Sequence, residues 1–254
     1  MQIPPCEVKI APQRVRDLMD WLMTRYVRPA LPDNFNARLA TVKAEDKLRR
    51  LLEKLPAVTE VFVADVSDFH AASKISGELV GTWGRIDVLV NNAGVSAPKS
   101  ILEISEAEFD RSIAVNLKSC FNYVHATAHQ MLGQSEGGRI INIASVSATS
   151  GGVTRAVSKH AYATAKAGIL GMTRSLAKEL SPKVLVNAVS PGVIATDLLK
   201  ENLGHREAEL TSGVALGRLG TPEDVASFVA YLACEKHLYM TGQNITIDGF
   251  QWSC

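Results

Sequence analysis

A tyrosine and a lysine four residues apart, Tyr162-Ala-Thr-Ala-Lys166, stand in a stretch rich in alanine and leucine. On a helix, residues four apart share a face and their side chains come within reach of one another. That pairing suits proton transfer. A phenol titrates near about 10, too high for easy proton exchange at neutrality, and a neighbouring ammonium favours the phenolate; each unit of lowering requires about 1.4 kcal/mol. Upstream, Ile140-Ile-Asn-Ile-Ala-Ser145 sets a serine at the carboxyl end of a predicted strand, the edge at which parallel sheets bind ligands. A hydroxyl there can hold a carbonyl or alcohol oxygen while the tyrosine moves its proton, the division of labour that carbonyl reduction needs. Ser147 is the competing hydroxyl; Ser145 is preferred because it directly follows the strand.

The elements that must position these residues follow from periodicity. From residue 58 onward, short β-branched runs alternate with helical stretches, which predicts an α/β fold with a mostly parallel sheet. The predicted strands are Val61 to Asp65, Ile86 to Asn91, Arg139 to Ala144, Val184 to Val189 and Asn244 to Asp248. They read as nearly continuous apolar runs, so helices are expected on both faces of a doubly wound sheet. Ser105 and Glu108 form a capping box that opens a helix running to about Leu132. Thr221, Pro222, Glu223 and Asp224 open another that ends near Cys234, and a third covers roughly His160 to Leu180. Residues 1–57 are harder to read: helical spacing over Arg14 to Tyr26, a loop over Pro29 to Asn36, a weak strand over Ala37 to Val42 and a charged helix over Ala44 to Leu55.

Composition narrows the function classes. The 254 residues, 46% hydrophobic and 21% charged, suit one domain with a large core. A net charge of +1 provides no global field for nucleic acid or an anionic membrane, so the expected partner is a small molecule. The longest apolar run, Val225 to Cys234, falls short of the ~18 residues that cross a bilayer. Met1 to Ile10 lacks a signal pattern, and a cytosolic location is expected. Cys6, Cys120, Cys234 and Cys254 have no paired spacing and read as reduced thiols.

Taken together, Asn91-Asn-Ala-Gly94 after a strand, Asn116 within a long helix, Ser145, Tyr162-x-x-x-Lys166 and Pro191-Gly192 resemble the short-chain dehydrogenase/reductase family over roughly residues 58 to 250. The resemblance implies a Rossmann-like fold and NAD(P)-dependent interconversion of a secondary alcohol and a carbonyl. Tyr162 would be the general acid/base, Lys166 would lower its pKa and hold the nicotinamide ribose, Ser145 would bind the reacting oxygen and Asn116 would support a water relay to the lysine. Asp65 and Val66 resemble the pair that contacts adenine, and Asn91, Ala93 and Gly94 the turn beside the cofactor's adenosine half. Pro191, Gly192, Ile194 and Thr196 resemble the segment that brackets the nicotinamide carboxamide; Thr196 is alternatively the N-cap of the next helix. A homotetramer or dimer is implied, built from the Asn116 and Tyr162 helices and the tail Gly249 to Cys254.

One family feature is missing: the glycine-rich T-G-x-x-x-G-x-G turn after the first strand. The first glycine in the chain is Gly77. That turn lets backbone amides approach a pyrophosphate, and if Cys6 to Ile10 is the first strand, only Ala11 and Pro12 separate it from the helical spacing that starts at Arg14, and these do not build the turn. This supports a second reading, a non-catalytic member acting as a scaffold or partner subunit. Lys43, after the weak second strand, sits where a basic residue favours a 2′-phosphate and hence NADP over NAD; a solvated lysine at a helix start is the alternative. The stretch between Ser145 and Tyr162 runs a few residues longer than in many family members, and Asp197 to Thr221 is expected to cover the substrate. His125 and His129, four apart, have no third ligand in sight and read as a surface or interface pair, with no metal expected.

Overall fold

The computed structural model describes residue 62 and residues 64–151, 158–195 and 207–251. Among these residues, four strands form one parallel sheet in the order β1-β2-β3-β4: Val88–Asn91, Gly138–Ile143, Val184–Pro191 and Asn244–Ile247. Val88 lies opposite Arg139, Gly138 opposite Val184 and Ala188 opposite Asn244. Helix α1 (Phe69–Trp83) precedes β1. The crossover from β1 to β2 carries α2 (Glu106–Ile113) and α3 (Ser119–Gly133), and that from β2 to β3 carries α4 (Ser147–Ser150) and α5 (His160–Leu180). The crossover from β3 to β4 carries α6 (Glu207–Ser212) and α7 (Pro222–Cys234).

Both faces of the sheet are covered, which is why its strands lack a polar side. On one face Ile140, Val184 and Val186 pack with Val124 and Met131 of α3 and Ala177 and Leu180 of α5. On the other, Ile141 and Val189 pack with Val229 and Leu232 of α7. The neighbours Ile140 and Ile141 therefore point to opposite layers, as the period of two requires. This is the doubly wound arrangement expected.

The helix starts follow their local chemistry. Ser105 Oγ accepts from the Glu108 amide at 3.3 Å while Glu108 Oε2 accepts from the Ser105 amide at 3.0 Å. Thr221 and Asp224 do the same at the head of α7, with 3.3 and 2.7 Å bonds. α5 spans the expected residues. Three elements depart from expectation. The helix from the first capping box is interrupted by a π-helical turn, Ala114–Lys118, before continuing as α3. α1 had no strong signal because Gly77 and Gly81 interrupt it and only Ala72, Ile75 and Ser76 are buried; it is set instead by Asp68, whose carboxylate caps the amides of His70 and Ala71 at 2.8 and 3.2 Å. Of the strand expected over Val61 to Asp65, Val61 and Val63 lie outside the described residues, and Asp65 opens a turn whose carbonyl accepts from the Asp68 amide at 3.0 Å. Everything read for residues 1–57, including Lys43, and the first residues of the expected cover from Asp197 also lie outside the described residues.

Cys120 is buried and Cys234 half-buried, both as free thiols. Among the described residues no helix is long and apolar enough to cross a membrane, and no three His, Cys, Asp or Glu side chains cluster as metal ligands. His125 and His129 are exposed, and His125 packs against Phe69 with ring centroids 4.9 Å apart.

Candidate active site

The carboxyl edge of β2 and the first turns of α5 set the central pair. Lys166 is 3% exposed although it carries an ammonium. Its Nζ donates to the Ile143 carbonyl at 2.7 Å and lies 5.6 Å from the centroid of the Tyr162 ring, within range of cation–π attraction. Burial of a lysine is tolerated where its charge has such partners. The carbonyl it meets lies beyond the β1 pairing, whose last partner on β2 is Asn142. Two residues further on, Ser145 is 8% exposed and its Oγ accepts from the Ser147 amide at 3.1 Å. A hydroxyl that accepts from an amide keeps its own proton free to donate. Ser147 sits on α4, half-buried.

Asn116 is completely buried in the π-helical turn. Such turns widen the backbone ladder locally and are frequent at functional sites. Its Oδ1 accepts from the Val95 amide at 3.0 Å, and its Nδ2 donates to the carbonyls of Val95 at 3.1 Å and Ser112 at 3.0 Å. The same side chain meets Gly94: a β-carbon there would lie 2.8 Å from Asn116 Oδ1 and 3.7 Å from Lys166 Nζ. Gly94 is therefore the point at which the turn after β1, the π turn and α5 converge.

Asn91 and its turn are fixed from below. Asn91 Nδ2 donates to Asn142 Oδ1 at 2.8 Å, and Asn142 Nδ2 donates to Thr173 Oγ1 at 2.9 Å, a buried chain from β1 through β2 to α5. Ala93 and Val95 pack on Val66 and Val115, so the Asp65–Val66 turn lies against the Asn91–Gly94 turn. The Asp65 carboxylate is 43% exposed and paired with Arg111. Burial acts to raise its pKa, but hydrogen bonds from Ser67 and the Arg111 charge outweigh it and hold the carboxyl below the usual range. Cys120, on α3 beside this site, is pushed up by burial against the opposing Lys166 charge.

The end of β3 completes the edge. The Pro191 carbonyl accepts from the Val146 amide at 3.1 Å, joining it to the Ser145 segment. Gly192 donates to the Ile247 carbonyl at 2.9 Å, and a β-carbon on it would strike Asp248 at 2.7 Å. Ile194 bridges to Gly220, and Thr196 lies outside the described residues. Three residues given no site role in the sequence hold this region. Gln251, 6% exposed, accepts through Oε1 from the Val193 amide at 3.0 Å, and Asp248 accepts from the amides of Phe250 and Gln251. Arg218 pairs with Asp224, holding that carboxyl well below the usual range. The Asp248-Gly249 dipeptide was the available sequence signal for the tight turn, in which Gly249 and Phe250 both take positive φ.

Comparison with known proteins decides the family. A family model described as enoyl-(acyl carrier protein) reductase matches residues 34–249. The chain belongs to the short-chain dehydrogenase/reductase family. This short-chain dehydrogenase/reductase is 37% identical to the 3-oxoacyl-(acyl-carrier-protein) reductase of Thermotoga maritima, over 80% of this chain and 81% of the relative. It is 39% identical to an L-rhamnose 1-dehydrogenase (NAD(P)(+)) of Azotobacter vinelandii, over 73% of this chain and 72% of the relative. A crystal structure of a short-chain glucose/ribitol dehydrogenase from Brucella melitensis matches with TM-score 0.78 at 30% identity, covering 86% of this chain and 87% of its own. These relatives support NAD(P)-dependent oxidoreduction in general terms.

Proposed function

We propose that the protein interconverts a secondary alcohol and a ketone, acting on a small polar carbonyl compound, with NADPH favoured over NADH. The convergence of Gly94, Asn116 and Lys166 beside Tyr162 carries this reading. The side chains present fit a nicotinamide dinucleotide at both ends: Lys166 and Tyr162 offer donors for a ribose, and the half-exposed Asp65 carboxylate offers an acceptor for a base. The segment that would meet the pyrophosphate precedes the described residues.

When bound, the dinucleotide supplies or takes up the hydride. Tyr162 donates its hydroxyl proton to the carbonyl oxygen as that oxygen gains charge, and takes it back in the reverse direction. Ser145 donates a hydrogen bond to the same oxygen, a role supported by its Oγ accepting from the Ser147 amide. Lys166 provides a fixed positive charge beside the phenol, and Asn116 holds the Val95 backbone through its side-chain amide. Asn91, Pro191, Gly192 and Ile194 shape the cofactor edge. The relatives' printed activities, on a 3-oxoacyl-(acyl-carrier-protein) and on L-rhamnose, support a carbonyl or polyol substrate. We place the activity in the cytosol, in a dimer or tetramer built through the helices bearing Asn116 and Tyr162.

Titration of the purified protein with NADH and NADPH, followed by nicotinamide fluorescence and thermal stability, tests this. Micromolar binding supports the enzyme. Failure of both cofactors to bind at millimolar concentration overturns it and supports the scaffold reading that the absence of glycine before Gly77 suggests.

A further inference from the structure

The turn Asp65-Val66-Ser67-Asp68 is gripped by two side chains from one helical run. Arg111 of α2 donates through Nη1 to Asp65 Oδ2 at 3.1 Å and to Ser67 Oγ at 2.9 Å. Asn122 of α3 donates through Nδ2 to the Val66 carbonyl at 3.2 Å. The turn also binds itself, with Asp65 Oδ1 accepting from the Ser67 amide at 2.9 Å and the Ser67 hydroxyl at 2.7 Å.

These grips are held against an opposing cost. Asn122 is fully buried, and among the described residues neither its Oδ1 nor Nε and Nη2 of Arg111 has a hydrogen-bond partner. Buried polar atoms left unpaired are destabilising, and an apolar side chain at either position would remove the penalty. What the polar residues achieve is the orientation of an acceptor. Oδ1 is engaged by Ser67, Oδ2 has Arg111 as its close partner, and the carboxylate remains 43% exposed, which leaves lone-pair capacity accessible at a fixed angle. Because Arg111 Nη1 spans both Asp65 and Ser67, it stops the carboxylate from rotating about its own Cβ–Cγ bond.

We infer that Arg111 and Asn122 are positioning residues, holding the Asp65–Val66 turn in the shape that reads the exocyclic amine of adenine. The inference rests on the dinucleotide reading above. It names two residues that act through others and touch no ligand themselves.

The test uses a pair of cofactors that differ at one group. Reduced nicotinamide hypoxanthine dinucleotide carries a carbonyl where the adenine cofactor carries an amine, so a fixed carboxylate attracts one and repels the other. Dissociation constants for both forms are measured by nicotinamide fluorescence on the full chain, with circular dichroism as the check on folding. The original protein is expected to bind the adenine form about tenfold more tightly, the ratio of one charge-assisted hydrogen bond. In Arg111→Met the ratio is expected to fall to about twofold or less, with the loss confined to the adenine form. Arg111→Lys keeps the cation without the planar fork and should recover part of the ratio. Asn122→Leu should narrow it while the fold is kept. Undiminished discrimination in folded Arg111→Met and Asn122→Leu overturns the inference and leaves the reductase proposal standing. Equal binding of both forms by the original protein overturns it too, again without touching that proposal; absence of any binding overturns both.

Discussion

Gly94→Ala adds one methyl group at the point where three elements meet, and its effect can be worked from distances. The new β-carbon would lie 2.8 Å from Asn116 Oδ1, so the amide must retreat by about 0.6 Å to reach ordinary contact. Asn116 is fully buried and bonded at 3.0 Å to the Val95 amide, 3.1 Å to the Val95 carbonyl and 3.0 Å to the Ser112 carbonyl. A shift of that size carries at least one of these bonds beyond hydrogen-bonding range. Overpacking costs about 1–3 kcal/mol and a buried amide left unpaired about as much again, so a destabilisation of about 2–6 kcal/mol is expected. Gly171→Ala is the control: the same methyl on α5 meets nothing within 4 Å and should stabilise by about 0.5–1 kcal/mol. Urea unfolding of the three proteins, compared at equal m-values, reads the difference. Turnover should fall with Gly94→Ala by about tenfold or more, because the displaced Asn116 and the nearby Lys166 Nζ, 3.7 Å from the new methyl, both belong to the proposed site. An unfolding free energy within about 0.5 kcal/mol of the original, with full turnover, would refute the assignment of Gly94 as the contact point.

Two further outcomes are expected. Tyr162→Phe should reduce turnover by about 10²–10⁴-fold while cofactor affinity is largely kept, since Lys166 is anchored independently on the Ile143 carbonyl; steady-state rates alongside fluorescence titration check this, and unchanged turnover would remove Tyr162 from the mechanism. Glu108 has its carboxyl lowered from 4.5 to about 2 by Lys99 and by Ser105. A carboxyl depressed in the folded state contributes stability above its unfolded pKa and loses it as pH falls toward the folded value. The stability difference between the original protein and Glu108→Gln should therefore be present at pH about 5 and shrink steadily toward pH about 2, read as thermal midpoints across that window.

Much of the fold was legible because its signals are local. The capping boxes Ser105/Glu108 and Thr221/Asp224 bind within one turn, α5 is written in alanine and leucine between His160 and Leu180, and the buried parallel strands are apolar on both sides. The pairing of Tyr162 with Lys166 was legible for the same reason, since four residues on a helix bring side chains together without help from the rest of the chain. α1 was not, because its two internal glycines and mostly exposed surface leave little pattern and its start depends on a single aspartate.

What tertiary structure decided is what lies between distant segments. That Lys166 finds the Ile143 carbonyl 23 residues away follows from β1 ending its pairing at Asn142. The crowding of Gly94 by Asn116 follows from a π turn that no periodicity announces. Arg111 and Asn122 read as ordinary helix residues until the Asp65 turn is laid beside them. The sequence by itself determined that Tyr162 and Lys166 share a helix face and which elements carry them, because propensity, capping and period act over a few residues. Only the folded chain decided what those side chains press against, because that depends on where strands stop pairing and how closely two backbones can approach.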